Sequence, residues 1–497
     1  MAIYQTYYNY IGGEWCASSS GRVFPSINPA HKNQTLGYFQ ASSEAEVRAA
    51  VDAAEEAFPK WSETPPPVRG EILLKIALML EERKEDLARI MTMEMGKILT
   101  EARGDVQEAI DTFKYMAGEG RRLFGHTTTS ELRDKFAMTV RRPVGVVAVI
   151  TPWNFPIAIP GWKMAAALAA GNTVVWKPAS DTPLCAIELV KVMVEAGIPA
   201  GVVNLVTGSG AEVGLPLVRD RKVGAVSFTG SRDNGEEILK QAGLKRVGLE
   251  LGGKNPIIIM DDANLQLAVD GCIWGGFGTS GQRCTAASRV IVHKAVYENF
   301  IRSFKERAAR LRVGDGLDST VDMGPVINEN QLKKIHSYTE IGVSEGAKLS
   351  LGGRILSGGV YDEGFFYQPT IFENVTSEMR IAQDEIFGPV VSVIKVDNLE
   401  EAIEVANNTR YGLSSSIYTN DIRTAFKAIA RLEAGITYVN APTIGAESHL
   451  PFGGVKETGN GVREGGIHGI EEFTDVKTVY IDYSGRLQRA QIDTSYG

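Results

Sequence analysis

Apolar residues recur at intervals of three and four between residue 43 and about residue 120. One such stripe consists of Ile72, Leu73, Ile76 and Leu80. The charged run at residues 81–84 falls on the opposite face. This periodicity predicts amphipathic helices with one buried and one solvated side. Residues 1–40 carry turn residues and short apolar segments instead, which predict an N-terminal arm.

From residue 144 onwards, short continuous apolar runs alternate with helical patterns. The predicted strands are Val144–Ile150, Thr173–Trp176, Val202–Val206 and Ala225–Phe228. The predicted helices are Gly161–Ala170, Pro183–Ala196, Ala211–Arg219 and Asn234–Ala242. One helix after each strand predicts parallel βαβ units in an open twisted sheet, the Rossmann-like form of the α/β class.

Ligands of such sheets bind beyond the carboxyl ends of the strands. The strands here end in TPWNFP, KPAS, TGSG and TGS, whose small polar residues and lysine suit phosphate groups. The glycines of GSGAEVG (Gly208–Gly214) do not have the G-x-G-x-x-G spacing, so this motif alone is equally compatible with an ordinary turn.

A second alternating region extends from Asn255 to about residue 440. It contains the strand-like NPIIIM (Asn255–Met260), a helical pattern at Tyr297–Leu311 and the strand-like Ser392–Val396. We place a domain boundary near residues 252–254. Two segments, 127–142 and 474–491, fit neither region and have the pattern of strand ribbons, which predicts an edge ribbon or an oligomer contact.

Composition narrows the class of protein. The 497 residues carry a net charge of −8 and no basic stripe, which argues against nucleic acid as a partner. No apolar run reaches the ~18 residues that a membrane helix needs. The first residues lack the pattern of a signal peptide, and together with free cysteines this predicts a cytoplasmic location.

The sulfur chemistry points to one residue. The four cysteines are Cys16, Cys185, Cys272 and Cys284. They form no C-x-x-C pair, and the six histidines are scattered, so we expect neither a disulfide scaffold nor a metal site. Cys284 lies in TSGQRCTAA among small polar residues, directly after Arg283. It is either buried filler or a reactive thiol, and a neighbouring cation would favour the reactive thiolate.

Seven motifs occur in a fixed order along the chain. They are TPWNFP (Thr151–Pro156), VVWKPAS (Val174–Ser180), SFTGS (Ser227–Ser231), LELGGKNP (Leu249–Pro256), GQRC (Gly281–Cys284), EIFGP (Glu385–Pro389) and LPFGGVKETGNG (Leu450–Gly461). This order resembles the aldehyde dehydrogenase superfamily over almost the whole chain. The form GQRCTA, the final ribbon and Ser180 most resemble its ω-semialdehyde dehydrogenases, of the α-ketoglutaric or aminoadipic semialdehyde type.

The resemblance implies three parts. An NAD(P)-binding domain would comprise residues 1–126 and 144–253, and a catalytic domain residues 254–460. A small β-ribbon oligomerisation domain would comprise residues 127–143 and 461–497. A homodimer or homotetramer is implied as well.

The resemblance also implies catalytic roles for Cys284, Glu250, Asn154 and Lys177. Cys284 would attack the aldehyde to give a thiohemiacetal. The Asn154 amide and the Cys284 backbone N–H would stabilise the oxyanion. Glu250 would activate the water that hydrolyses the thioester. Without the resemblance, Glu250 could equally be a salt-bridged residue at a strand end.

The cofactor expected from the resemblance is NADP or NAD. The residues assigned to it are Thr151, Pro152, Trp153, Lys177, Ser180, Gly210, Phe228, Thr229, Gly230, Ser231, Leu251, Gly252, Glu385 and Phe387. Family members that prefer NAD commonly carry Glu at the position of Ser180. Serine does not repel a 2′-phosphate, so we expect NADP to be readily used and NAD to remain possible.

The resemblance assigns Phe155, Trp162 and Phe452 to an aromatic substrate tunnel, although they could also be core aromatics. Arg283 could bind a substrate carboxylate or could be a surface charge that assists the thiol. Besides the cofactor and the other copies of the chain, we expect a small-molecule aldehyde as partner, and neither nucleic acid nor membrane. Four alternatives stay open: succinic semialdehyde as substrate, a generic aliphatic aldehyde dehydrogenase, a CoA-acylating reductase, and a catalytically idle structural protein. The presence of Glu250 argues against the reductase.

Overall fold

The computed structural model describes residues 5–493. Residues 1–4 of the predicted arm and residues 494–497 of the predicted tail lie outside this range. The strands are β1 (Asn9–Ile11), β2 (Glu14–Cys16), β3 (Val23–Asn28), β4 (His31–Gln40), β5 (Thr127–Thr129), β6 (Lys135–Pro143), β7 (Val146–Ile150), β8 (Thr173–Lys177), β9 (Val203–Leu205), β10 (Val223–Thr229), β11 (Arg246–Glu250), β12 (Asn255–Ile259), β13 (Ala287–His293), β14 (Lys348–Leu351), β15 (Thr370–Glu373), β16 (Val390–Val396), β17 (Tyr411–Gly412), β18 (Ser414–Tyr418), β19 (Ile436–Val439), β20 (Val455–Lys456) and β21 (Thr474–Asp482).

The helices separate these strands. They are α1 (Glu44–Glu63), α2 (Pro66–Glu82), α3 (Lys84–Met95), α4 (Leu99–Glu119), α5 (Ala158–Ala170), α6 (Pro183–Glu195), α7 (Leu215–Arg219), α8 (Arg232–Ala242), α9 (Leu265–Phe277), α10 (Tyr297–Ala308), α11 (Glu329–Ser344), α12 (Arg380–Gln383), α13 (Leu399–Asn407), α14 (Ile422–Arg431) and α15 (Gly466–Glu472). The predicted helical region therefore contains four helices, α1 to α4. The predicted helix Ala211–Arg219 is a π-helical turn at Gly210–Gly214 followed by α7.

The first sheet confirms the predicted parallel βαβ region. Its strand order is β11-β10-β7-β8-β9-β1-β2, and the five strands from β11 to β9 are parallel. Strands β7 and β8 are buried along their whole length, as a sheet covered by helices on both faces requires. The carboxyl ends of β7, β8 and β10 therefore open along one edge of the sheet.

The second sheet has the order β14-β15-β16-β13-β12-β18-β19 and is parallel from β15 to β19. The chain passes from the last strand of the first sheet to this sheet between residues 250 and 255. The fold is thus of the α/β class, with a Rossmann-like sheet and a second α/β sheet.

The two segments with ribbon patterns pair with each other. Strands β21 and β6 are antiparallel from Thr474 opposite Pro143 to Asp482 opposite Lys135, and β5 adds to β6. The predicted second ribbon was too long, because β21 ends at Asp482 and residues 483–491 form no strand. Between residues 5 and 493, none of the helices has the length and apolar character needed to cross a membrane.

A strained turn connects α9 to the segment that holds Cys284. Thr279, Ser280 and Gly281 all have positive φ angles, of 52°, 56° and 68°. Such angles cost non-glycine residues energy and persist where surrounding contacts hold them. The Thr279 N–H donates to Glu101 Oε1 at 2.8 Å, and the Ser280 hydroxyl donates to the Gly324 carbonyl at 2.7 Å. The turn is therefore fixed from two other parts of the chain.

Gly281→Ala should lower the free energy of unfolding by about 3 kcal/mol and change the labelling rate of the Cys284 thiol. A Cβ at residue 281 would overlap the backbone carbonyl of Gly388, besides suffering the left-handed strain. Gly346→Ala is the matched control. Its φ is 92° with no atom within 4 Å of the added carbon, so we expect a loss of only about 1 kcal/mol. Equal shifts of melting temperature in the two variants would contradict the packing argument.

Candidate active site

Two cavities meet at Cys284. A cleft of about 610 Å³ follows the carboxyl edge of the first sheet. A second chamber of about 380 Å³ lies on the other side of the sulfur-bearing loop. Thr229, Leu251 and Cys284 line both cavities. The thiol can therefore contact molecules that occupy either space.

The cleft brings together every residue that the sequence assigned to the cofactor. They are Thr151, Pro152, Trp153, Lys177, Ser180, Gly210, Phe228, Thr229, Gly230, Ser231, Leu251, Gly252, Glu385 and Phe387. They come from the ends of β7, β8 and β10, from the π-helical turn after β9, from the start of α8, and from the loops after β11 and α12. The buried Thr229 hydroxyl has no hydrogen-bond partner among residues 5–493, so it is free to bind a ligand. The size and polarity of the cleft fit a dinucleotide.

Lys177 and Ser180 lie on one wall of the cleft. The Lys177 ammonium donates to the Pro178 carbonyl at 2.7 Å and retains two further N–H donors. Burial lowers the pKa of Lys177 to about 8, and Asp181 opposes this shift. The Ser180 hydroxyl donates to the Gly208 carbonyl at 3.0 Å.

Glu385 and Phe387 form another wall, on a loop held by α11. The Gly253 N–H donates to Glu385 Oε1 at 3.0 Å. Phe387 has a φ of 59° and packs edge-on against Trp153, with ring centroids 5.4 Å apart. The Gln331 amide donates to the Ile386 and Phe387 carbonyls at 3.0 and 2.7 Å, which holds this strained backbone in place.

Sequence reasoning missed Gln331, Lys334 and Asp181 as lining residues of the cleft. Gln331 and Lys334 belong to α11, whose pattern predicts only an amphipathic helix. Asp181 directly follows the motif VVWKPAS, so it could have been included with that motif. Its carboxylate accepts a hydrogen bond from the Asn328 amide at 2.9 Å.

The chamber brings together the residues assigned to the substrate. Phe155, Trp162, Arg283 and Phe452 line it with Glu250. The Trp162 and Phe452 rings meet edge-on at 5.7 Å. The Arg283 guanidinium stacks on Trp274 and faces Phe155, at 4.6 and 5.8 Å from the ring centroids. It is therefore not a surface charge.

Glu250 is a buried carboxylate whose two oxygens have no hydrogen-bond partner among residues 5–493. It is thus not the salt-bridged strand-end residue that the sequence alone allowed. Burial raises the pKa of Glu250 well above its usual value, and the nearby Glu464 raises it further. Lys163 opposes this shift, and it forms an ion pair with Glu464. Burial and Glu464 therefore both favour the protonated form of this carboxyl.

The expectation that Arg283 favours a Cys284 thiolate is wrong for the resting site. Burial raises the pKa of Cys284 to about 12, and the carboxyl groups of Glu385 and Glu250 add to the shift. Arg283 does not offset this, because its guanidinium is directed at Glu101 at 3.2 Å and at the Trp274 ring. The thiol therefore needs a proton acceptor before it can attack.

Two N–H donors lie beside the sulfur. The Asn154 amide nitrogen donates to the Gln282 carbonyl at 3.2 Å, which leaves its second N–H unused. The backbone N–H of Cys284 has no acceptor within residues 5–493. The Cys284 carbonyl accepts from the Asn255 amide at 2.7 Å, which fixes the orientation of this peptide segment.

Helix α4 contributes three acidic residues to the chamber that sequence reasoning did not identify. They are Glu101, Asp105 and Glu108. Their spacing of four and three residues places them on one side of the helix, which is the signal that could have identified them. Asp105 forms an ion pair with Lys97 at 2.9 Å, and both side chains are fully buried.

Comparison with known proteins agrees with this geometry. The family model described as "Aldehyde dehydrogenase family" matches residues 15–479. An α-ketoglutaric semialdehyde dehydrogenase of Bacillus subtilis is 47% identical over 479 residues, which are 96% of this chain and 98% of the relative. An α-ketoglutarate semialdehyde dehydrogenase of Haloferax volcanii is 46% identical over 478 residues, or 96% and 99% of the two chains.

Solved structures extend the similarity to three dimensions. The crystal structure of betaine aldehyde dehydrogenase from Staphylococcus aureus in complex with NAD⁺ superimposes with a TM-score of 0.94 at 36% identity, covering 97% of this chain and 96% of that chain. The match of family, relatives and fold extends over both cavities and the residues between them. The chain belongs to the aldehyde dehydrogenase family and is an NAD(P)-dependent aldehyde dehydrogenase.

Proposed function

We propose that the enzyme oxidises a semialdehyde that carries a carboxylate, of the α-ketoglutaric semialdehyde type, to the dicarboxylic acid. Cys284 would be the nucleophile and Glu250 the general base. The observation that carries this proposal is the position of Cys284, where a dinucleotide-sized cleft meets an aromatic chamber. A sulfur at this junction can hold an aldehyde carbon within reach of the cofactor.

Glu250 and Cys284 first exchange a proton. Ionised Glu250 accepts the thiol proton of Cys284, and the sulfur adds to the aldehyde carbon to form a thiohemiacetal. The unused Asn154 N–H and the Cys284 backbone N–H donate to the developing oxyanion. A bound nicotinamide supplies the acceptor for the hydride that leaves the same carbon. In the thioester that results, the Cys284 sulfur carries the acyl group.

Hydrolysis then regenerates the thiol. Glu250 first releases to solvent the proton that it took from Cys284. It then removes a proton from water, the hydroxide oxygen bonds to the acyl carbon, and the carbon–sulfur bond breaks. The sulfur leaves as thiolate and is reprotonated. A base that works near neutrality needs a raised pKa, and burial of Glu250 provides it. The presence of this base distinguishes the proposal from a CoA-acylating reductase, in which a second thiol would take the acyl group.

Arg283 is our candidate for binding the substrate carboxylate. Its Nε–H donates to the Thr279 hydroxyl at 2.9 Å, and one Nη2–H donates to Glu101. Three of the five guanidinium N–H groups remain for a ligand in the chamber. The names of the Bacillus and Haloferax relatives support a substrate of this charge.

We also propose the domain boundaries and an oligomer. The NAD(P)-binding domain would comprise residues 1–126 and 144–253, the catalytic domain 254–460, and the oligomerisation ribbon and tail 127–143 and 461–497. Strand β21 is an edge strand that exposes Val476, Tyr480 and Ile481. Exposed apolar side chains on a sheet edge favour pairing with another copy, which supports a dimer or tetramer.

Cys284→Ser and Glu250→Gln should separate catalysis from a merely structural role. Without the thiol we expect no detectable aldehyde oxidation. Without the base, steady-state turnover should fall by about 10²–10⁴-fold. Mass spectrometry after mixing with aldehyde and NADP, with and without CoA, would detect any acyl-enzyme and identify the product. Cys272→Ser, which alters a buried cysteine outside both cavities, is the control. Full activity of Cys284→Ser, or a product that requires CoA, would refute the proposal.

Ser180→Glu should shift cofactor preference towards NAD. A carboxylate on this wall of the cleft would repel a 2′-phosphate and accept ribose hydroxyls. We expect kcat/KM for NADP to fall by about 10–100-fold, and that for NAD to change by less than about threefold. Ser180→Ala removes the hydroxyl without adding charge and should leave the ratio nearly unchanged. Equal losses with both cofactors would contradict this reasoning.

Arg283→Met should discriminate between substrates. Methionine keeps an apolar side chain beside Trp274 and Phe155 but removes the charged donors. KM for succinic semialdehyde should rise by about 10–100-fold, the value expected for hydrogen bonds to a charged group, while KM for propanal should stay within about threefold. A similar increase for both aldehydes would show that Arg283 does not bind the carboxylate.

A further inference from the structure

Glu108 differs from the other acidic residues that α4 directs into the chamber. Glu101 lies 3.2 Å from Arg283, and Asp105 lies 2.9 Å from Lys97. The Glu108 carboxyl lines the same chamber but forms no ion pair with any residue between 5 and 493. It is therefore available to a ligand in the chamber.

The cationic side chains around the chamber already form ion pairs with carboxylates of the protein. Arg283 shares its charge with Glu101, and Lys163 is paired with Glu464. A substrate carboxylate would enter beside Glu108, and an ionised Glu108 would repel it. The Glu108 carboxyl group can lie next to a substrate carboxylate without repelling it only while Glu108 carries a proton.

The surroundings of Glu108 keep that proton in place at neutral pH. Burial raises the pKa of Glu108 to about 8, and the charge of Asp105 adds to the shift, while Lys97, Arg283 and the Trp162 N–H oppose it. The charged or titratable groups that face it are Asp105, Lys97, Arg283, Cys284 and Tyr438. These come from α4, the loop before it, the nucleophile loop and β19, and Glu101, Glu250 and Glu464 also line the chamber.

We propose that Glu108 is a specificity residue which, as a neutral carboxylic acid, donates a hydrogen bond to the carboxylate of an ω-oxo acid substrate beside Arg283. This inference rests on the proposed function, since it presupposes a substrate with a carboxylate. An O–H donor to a carboxylate forms one of the stronger hydrogen bonds in proteins. The bond is present below the pKa of Glu108 and is lost as the pH rises through it.

The wild-type holoenzyme provides the first test. We would measure kcat/KM for succinic semialdehyde and for propanal with saturating NADP from pH 6 to pH 9.5. Titration of Cys284 and Glu250 affects both aldehydes and cancels in the ratio of the two values. The ratio should be constant below about pH 7 and fall by about tenfold between pH 7.5 and pH 9. A ratio above one that does not vary with pH would overturn the role of Glu108.

Glu108→Gln and Glu108→Leu provide the second test. The glutamine amide donates an N–H at every pH, so its ratio should stay high and no longer vary with pH. Leucine has no donor, so its ratio should be at least about tenfold lower at pH 7, without pH dependence. A glutamine variant that kept the wild-type pH dependence would overturn the proposal. Propanal turnover and the melting temperature report whether each variant is folded, and the wild-type profile decides the question if neither variant folds.

The two hypotheses fail in different ways. If the enzyme shows no preference for succinic or α-ketoglutaric semialdehyde over propanal at any pH, and Arg283→Met does not alter the ratio, the carboxylate substrate itself is refuted. If the preference exists and depends on Arg283 but not on Glu108, only the present inference is refuted.

Discussion

The left-handed turn at residues 279–281 is the constraint on which the site depends. Three successive residues with positive φ reverse the chain after α9 and place Cys284 where two cavities meet. Each strained non-glycine residue costs of order 1–3 kcal/mol, which the surrounding contacts must offset. Glu101 from α4 and the side chain of Gln282, which accepts from the Ile327 N–H at 3.0 Å, provide those contacts. The position of the sulfur thus depends on contacts with α4 and with the loop before α11.

Burial raises the pKa values of three titratable groups in the chamber. It raises the pKa of Cys284 to about 12 and that of Glu108 to about 8, and it raises the pKa of Glu250 well above its normal value. Burial therefore favours the protonated form of each of these three groups. Reaction then requires the proton of Cys284 to move to a nearby ionised base, and Glu250 lines the same chamber. Because such a buried site has a low dielectric constant, the gain or loss of one proton changes the electrostatic energy of neighbouring groups by more than it would in water.

Most of the fold could be predicted, because buried parallel strands and amphipathic helices leave clear periodic signals. The apolar runs Val144–Ile150 and Thr173–Trp176 predicted strands that the structure places at Val146–Ile150 and Thr173–Lys177. Strands β6 and β21 lie in the two segments that fitted neither α/β region. The polar stretches at the ends of the predicted strands could be found for a related reason, since strand ends in one parallel sheet open on one edge. The family resemblance supplied their roles, which periodicity alone could not.

The residues that were missed depend on tertiary contacts. Gln331 lies on α11 and reaches the Phe387 carbonyl only because of how that helix packs. Glu101 and Asp105 are charged residues in a helical pattern with no motif to mark them, and the structure buries both beside the chamber. The charge state around Cys284 was predicted wrongly because Arg283 was judged by its place in the sequence. A guanidinium side chain is long enough to turn away from its neighbour, and here it points to Glu101 and Trp274.

Glu101 connects substrate recognition with the geometry of the nucleophile. The same Oε1 atom accepts the Thr279 N–H at 2.8 Å and an Arg283 N–H at 3.2 Å. The first bond holds the strained turn, and the second holds the guanidinium that we assign to the substrate carboxylate. A ligand that pulls the Arg283 guanidinium away from Glu101 would break one of the two hydrogen bonds that Glu101 accepts. The other of these bonds supports the turn. A substrate carboxylate that instead binds the three remaining N–H groups of Arg283 leaves the hydrogen bond between Arg283 and Glu101, and therefore the turn, intact. The geometry therefore favours carboxylates that bind beside Glu101 over those that would displace it.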